Sequence, residues 1–191
     1  SNILSSSISA EFIYSLINRA KKFDIEIIVD LNWREVFWDF STFSSNTNKN
    51  YRVNLVKNFL NNAHIVKMAK EEAILFFEND HPSEISKKIL NHPDVIVTDG
   101  ANPISWFING IEGNTKVLNS SRIVDTTGAG DAFLAGLISQ LIFLDYPLNE
   151  LEIQNCVTFA SCCGLLTCLG EGAIEQQPNY EKVIEFLGSQ I

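Results

Sequence analysis

The chain has 191 residues, a formal charge of −9, an apolar share of 46% and 19% charged residues. That length supports one α/β domain, residues 1–191, with a substantial core, and leaves little room for two. The acidic balance argues against nucleic acid and anionic membrane surfaces as partners. The longest greasy run, residues 132–144, is broken by Gly136, Ser139 and Gln140 and falls short of a membrane span.

The opening residues 1–9 lack the basic and apolar blocks of a secretory signal, so a cytoplasmic setting is expected. An amphipathic helix is predicted over residues 10–23, with Phe12, Ile13, Leu16, Ile17 and Ala20 as its apolar face. The β-branched run 25–30 reads as a strand, and the polar Asp30, Asn32 and Arg34 follow at its C-terminal edge, where open α/β sheets place ligands. Residues 40–50 are rich in Ser, Thr and Asn and read as a mobile loop. A helix over 51–61, a strand over 64–68 and a helix opening at Lys70 come next. A helix over 82–91, a strand over 94–98 and an antiparallel pair, 104–108 with 115–118, complete the first part. Three further helices are predicted over 132–144, 148–169 and 179–188. Cys156, Cys162, Cys163 and Cys168 all fall in one helix without metal spacing, and read as reduced core thiols.

The chain is organised around residues 124–133, Val-Asp-Thr-Thr-Gly-Ala-Gly-Asp-Ala-Phe. A small-residue turn running into an apolar helix lets the amides of Gly128, Ala129 and Gly130 converge where the helix N-terminus adds partial positive charge. Asp131 would repel a phosphate there unless it has separate work, such as taking a proton from an attacking hydroxyl. The combination points to phosphoryl transfer; the plainer alternative is an ordinary turn with a solvated Asp131. No P-loop is present, and Gly128-x-Gly130-x-x-Phe133 fails the dinucleotide fingerprint at its third glycine.

The run DTTGAGDAF resembles the signature of the ribokinase/fructokinase-like (PfkB) carbohydrate kinases. The resemblance implies that Gly128, Ala129 and Gly130 bind the transferring phosphate, that Asp131 is the base, and that Asp125 and Thr127 lie near a monovalent cation, K+. The run DLNWREVFW is similar to the fructokinase branch's D-x-N-x-R, which puts Arg34 near the phosphate end of an ATP site. An N-x-x-E element assigns Glu72 to the Mg2+ shell through water, with Ala69 standing where Asn is expected. Thr98 and Gly100 resemble a T-x-G-x-x-G nucleotide-side turn whose second glycine is here Pro103. A later T-x-x-G-A element carries Gly172 over to the cation. The implied fold is ribokinase-like α/β, with a mainly parallel sheet flanked by helices. The likeness is expected over the C-terminal portion of a longer kinase, with the N-terminal part and lid missing. The implied function is ATP-dependent phosphorylation of a sugar hydroxyl, of fructose or a related sugar. The alternatives are a nucleoside or keto-deoxy sugar acid kinase, and a kinase-like protein that binds or assembles without catalysis. A sheet edge left open beside residues 25–30 would invite pairing with another copy.

Overall fold

The computed structural model describes residues 2–38, 46–118 and 120–189. Its elements fall into two compact units, Ser1–Thr98 with Trp106–Glu112, and Asp99–Ser105 with Gly113–Ile191. In the first unit a short 3-10 turn, Asn2–Ser5, leads into helix α1, Ser7–Lys22. Ala10, Ile13, Tyr14 and Ile17, at the i, i+3, i+4, i+7 spacing of one helix face, pack on the core. Phe12 and Leu16, expected on that face, belong to an exposed stripe with Ile8.

The predicted strand over 25–30 is shorter, because α1 ends in a left-handed cap that uses its first residue. Asp24 has φ 53° and the Ile25 amide donates to Ala20 O at 2.9 Å, so Ile25 closes the helix instead of opening the ladder. Strand β1 is therefore Ile28–Asp30. Helix α2, Asn46–Leu60, begins earlier than expected, so 46–50 are helical; the rest of the predicted loop, 40–45, lies outside the described residues. Strand β2, Ile65–Ala69, and helix α3, Lys70–Phe77, follow without a connecting residue. Helix α4, Pro82–Lys88, starts with the proline whose missing N–H costs nothing at a first helical position. Strands β3, Asp94–Asp99, β4, Asn102–Ile108, and β5, Ile111–Thr115, complete one five-stranded sheet in the order β1-β2-β3-β4-β5.

The mainly parallel sheet expected from the sequence is corrected here. β1–β2 and β2–β3 are parallel, with Val29 opposite Val66 and Val66 opposite Val95. The chain then turns back twice through Gly100-Ala101 and Asn109-Gly110. Parallel neighbours need a crossover of a dozen residues or more, so connections this short dictate an antiparallel meander for β3, β4 and β5. Asn109 and Gly110 both have positive φ, 52° and 76°, the left-handed pair that a tight hairpin demands. The hairpin is consequently tighter than the expected pair of 104–108 with 115–118. The expectation at the N-terminal end is corrected to this extent: the residues that open the sequence are an integral part of the fold. Leu4 of the first turn and Ile17 of α1 are buried in the first unit's core with Leu31, Val66, Phe76 and Ile85.

In the second unit helix α5, Ala129–Leu141, lies against helix α6, Glu150–Thr167, and helix α7, Tyr180–Gly188, packs its Val183 beside Phe159 and Cys162. Small residues let α5 and α6 approach. A Cβ on Gly136 would stand 2.7 Å from Cys163 Sγ, and one on Gly164 3.1 Å from Ala129 O. The four cysteines are free and buried, and burial pushes the Cys162 thiol up to about 12 and Cys163 to about 11.

Candidate active site

The glycine turn opens α5 as the residue pattern requires. Gly128 is the N-cap, in the left-handed region with φ 80°. A Cβ there would come within 2.8 Å of Ala173 Cβ and 2.9 Å of Ala173 Cα. Glycine is thus needed twice, for the sign of φ and for the approach of the neighbouring backbone. The Ala129 amide donates to Thr126 O at 3.2 Å and the Ala132 amide to Gly128 O at 2.9 Å. Ala129 N–H is therefore used inside the turn, while helix geometry directs the first-turn amides of Gly130 and Asp131 out of the helix end. Asp131 is the third residue of α5, is exposed, and sits where the helix dipole favours a carboxylate.

Asp125 is tied into the same turn. Its Oδ1 accepts from Thr127 N at 2.9 Å and from Thr127 Oγ1 at 2.7 Å, and its Oδ2 accepts from Gly172 N at 3.1 Å. These bonds, led by the Thr127 hydroxyl, hold the Asp125 carboxyl below the usual range. Gly172 has φ 81°, so a left-handed glycine presents its amide to Asp125. The structure thus brings Asp125, Thr127 and Gly172 into one hydrogen-bonded group, with Gly128 next in sequence and Asp131 on the helix that Gly128 caps.

A second group lies in the first unit. Glu72, in the first turn of α3, accepts from Ala69 N at 2.8 Å through Oε2 and from Trp33 N through Oε1. One carboxylate therefore joins the ends of β1 and β2, and Ala69 offers only its amide at that N-cap. Burial raises the Glu72 carboxyl above its ordinary value, against the two amide bonds. Lys67 pairs with Asp30 at 3.0 Å across the parallel register, with the side chains 8% and 14% exposed. Arg34 is exposed, two residues beyond Asn32, which has φ 39°. Thr98 Oγ1 donates to Met68 O at a long 3.4 Å, and Gly100, φ 56°, makes the turn into β4. Lys67 and Asn2 were not singled out from the sequence. Lys67 left a signal, a charge inside the apolar strand Ile65–Ala69, whereas Asn2 left none.

Among the described residues no three His, Cys, Asp or Glu side chains gather as a metal cluster, and no helix is long and apolar enough to cross a membrane. The model of the pfkB family carbohydrate kinases matches residues 1–179. The Arabidopsis thaliana protein named probable fructokinase-6, chloroplastic, is 34% identical over an alignment of 131 residues that covers 65% of this chain and 34% of that protein. The ATP-bound fructokinase of Xylella fastidiosa superposes with a TM-score of 0.85 at 22% identity, covering 100% of this chain and 60% of the other. The fructokinase of Vibrio cholerae O395, bound to fructose, ADP and a calcium ion, has a TM-score of 0.82 at 26% identity, covering 98% and 58%. A double mutant of that protein holds fructose, ADP and a potassium ion. The matched stretch amounts to between 34% and 40% of the length of the first four curated relatives. The likeness begins at residue 1 and runs to 179, which overturns the expectation of a match to a C-terminal portion only. Matched over nearly all of its length, this chain belongs to the pfkB family of carbohydrate kinases.

Proposed function

We propose that the protein transfers the γ-phosphoryl group of ATP to a hydroxyl of fructose or a related sugar. The observation that carries this reading is Asp131 in the first turn of α5, directly behind the left-handed Gly128. In that role Asp131 accepts the proton of the attacking hydroxyl, and the outward amides of the Gly128–Asp131 turn stabilise charge on the transferring group. Arg34, Thr98 and Gly100 serve the nucleotide. The fructose and ADP held by the Vibrio cholerae fructokinase support the same substrates here.

The donor sets fit oxygen-preferring ions to different degrees. Glu72 is one carboxylate with each oxygen already accepting one amide, which leaves lone pairs for a water and suits an indirect place around nucleotide-bound Mg2+. Mg2+ supplies charge neutralisation on the phosphates when bound. For K+, Oδ1 of Asp125 is filled by Thr127, so one Oδ2 lone pair and the backbone carbonyls of the Thr127 and Gly172 segments are the available hard donors. Free buried thiols support a reducing, cytoplasmic setting. β1 lies at the end of the strand order, and we assign any self-association to that edge; light scattering that gives one monomer mass at all concentrations would overturn it.

The test of the activity is ADP release from MgATP over a panel of sugars and nucleosides, for the wild type and Asp131→Asn. Sugar-dependent turnover that falls about a thousandfold in the variant is expected. Near-normal turnover in Asp131→Asn would remove the base, and MgATP binding with no acceptor would favour a binding role.

A further inference from the structure

We propose that Asn2 is a positioning residue, a side-chain clamp that sets the Asn32–Arg34 backbone and so aims Arg34 at the nucleotide phosphates. The inference rests on the kinase reading above for what Arg34 touches, and on the first unit's own geometry for how Arg34 is held.

Leu4 anchors the opening turn in the core at 5% exposure, and two residues earlier the Asn2 amide reaches the segment that leaves β1. Its Nδ2 donates to Asn32 O at 2.6 Å and its Oδ1 accepts from Arg34 N at 2.9 Å. The two bonds bracket one residue, Trp33, whose own amide donates to Glu72 Oε1. Leu31 N donates to Lys67 O at 2.9 Å just before. The backbone N–H groups of Leu31, Trp33 and Arg34 and the carbonyl of Asn32 are thus held, by β2, α3 or Asn2. The clamp has something to hold, since Asn32 lies at φ 39°, a left-handed conformation that a non-glycine residue adopts at a cost. Trp33 then stacks on Trp38 at 4.7 Å and meets Phe76 edge-on at 5.3 Å, which fixes the segment's apolar side. What remains exposed is Arg34. A guanidinium serves as a phosphate fork only when its backbone is fixed, because its long side chain otherwise spreads over many rotamers. Asn suits the task because one planar group offers a donor and an acceptor together. A shorter or apolar side chain offers neither pairing.

The decisive experiment is a double-mutant cycle on MgATP affinity, measured by calorimetry, with Asn2→Ala, Arg34→Ala and both together. Asn2→Ala is expected to weaken MgATP about tenfold and to add nothing to Arg34→Ala, because the two act through one contact. The near-ultraviolet dichroism of the stacked tryptophans is expected to fall in Asn2→Ala while the far-ultraviolet spectrum is kept. Asn2→Asp supplies a readout that packing alone would not move. Protonated, its carboxyl offers a donor and an acceptor like the amide, so its affinity relative to wild type should recover as pH falls from about 6 towards about 4, into the ordinary aspartate range. Losses that multiply in the cycle, an unchanged tryptophan signal, or a pH-independent Asn2→Asp would each overturn the clamp. If the wild type binds MgATP but phosphorylates no acceptor, the kinase reading fails and the cycle still decides the clamp. If it binds no MgATP, both fall.

Discussion

Gly128 carries the sharpest single-residue constraint in the second unit. Alanine there would adopt φ 80° and press its methyl group within 2.8 Å of Ala173 Cβ. We expect Gly128→Ala to lower stability by about 1–3 kcal/mol, read as a drop in the thermal midpoint. Gly128→Ala combined with Ala173→Gly should recover only part of that loss, because the φ strain stays. Glu72 makes a pH prediction of definite sign. Its carboxyl is raised by burial from its ordinary value of 4.5, so between that value and its folded value the native state binds more protons than the unfolded one. Its contribution to stability is therefore largest in acid and declines as pH rises through the folded value. Glu72→Gln should flatten that part of the stability profile, and an unchanged slope would contradict the assignment. Asp125 behaves oppositely, being held below 3.8 by Thr127 and Gly172, so what it adds is present above that value and lost as pH falls through its folded value. At this scale the sequence spoke clearly where chemistry is local. The Gly128–Asp131 turn can be read from four letters, because its glycine and its helix start are neighbours in the chain. Asn2 and Lys67 cannot be read so, since their partners lie 30 and 37 residues away and no spacing rule links them.

Elements were legible in proportion to how much their ends are set by neighbours in sequence. The start of α6 is an example, with Asn149 Oδ1 accepting from Glu152 N at 3.0 Å and Glu152 Oε2 accepting from Asn149 N at 2.9 Å. Asn149→Ala should cost about 1 kcal/mol and lower the thermal midpoint by a few degrees, with no change in far-ultraviolet helix content. The start of α5 was expected three residues late, because small residues were assigned to the turn although Ala129 and Gly130 already take helical dihedrals. The direction of the sheet was the larger miss. Alternating strands and helices do indicate parallel pairing, and they indicate it correctly for β1, β2 and β3. The pair around Asn109-Gly110 was expected to be antiparallel; the signal left unread was Gly100-Ala101, a two-residue connection too short for a parallel crossover, which sets β4 antiparallel to β3 as well. Between α5 and α6 the missing side chain of Gly136 is itself a packing element. Gly136→Ala should destabilise by about 1–3 kcal/mol through contact with Cys163 Sγ and the Ala160 Cα. Adding Cys163→Ala removes the sulfur but not the backbone contact at 3.1 Å, so calorimetry should find partial rescue.

On the scale of the whole molecule, charge and site oppose each other. The chain carries 23 acidic against 14 basic residues, and its proposed ligand is a polyanion. A helix N-terminus and an arginine attract phosphate over a few ångströms, whereas the net charge of −9 acts at longer range and repels it. Repulsion of that kind lowers the encounter rate and leaves the bound contacts unaffected, and it fades once the screening length falls to about 10 Å near 0.1 M salt. Association of MgATP should therefore quicken about two- to fivefold as ionic strength rises from about 10 mM to about 150 mM, with dissociation little changed. Choline chloride is the salt to use, because KCl would add any specific effect of K+ at Asp125. Stopped-flow association measured in both salts separates the two: a common rise is screening, and an excess in KCl alone is cation binding. A rate that falls with choline chloride would mean that local positive groups, and not the net charge of −9, govern the approach.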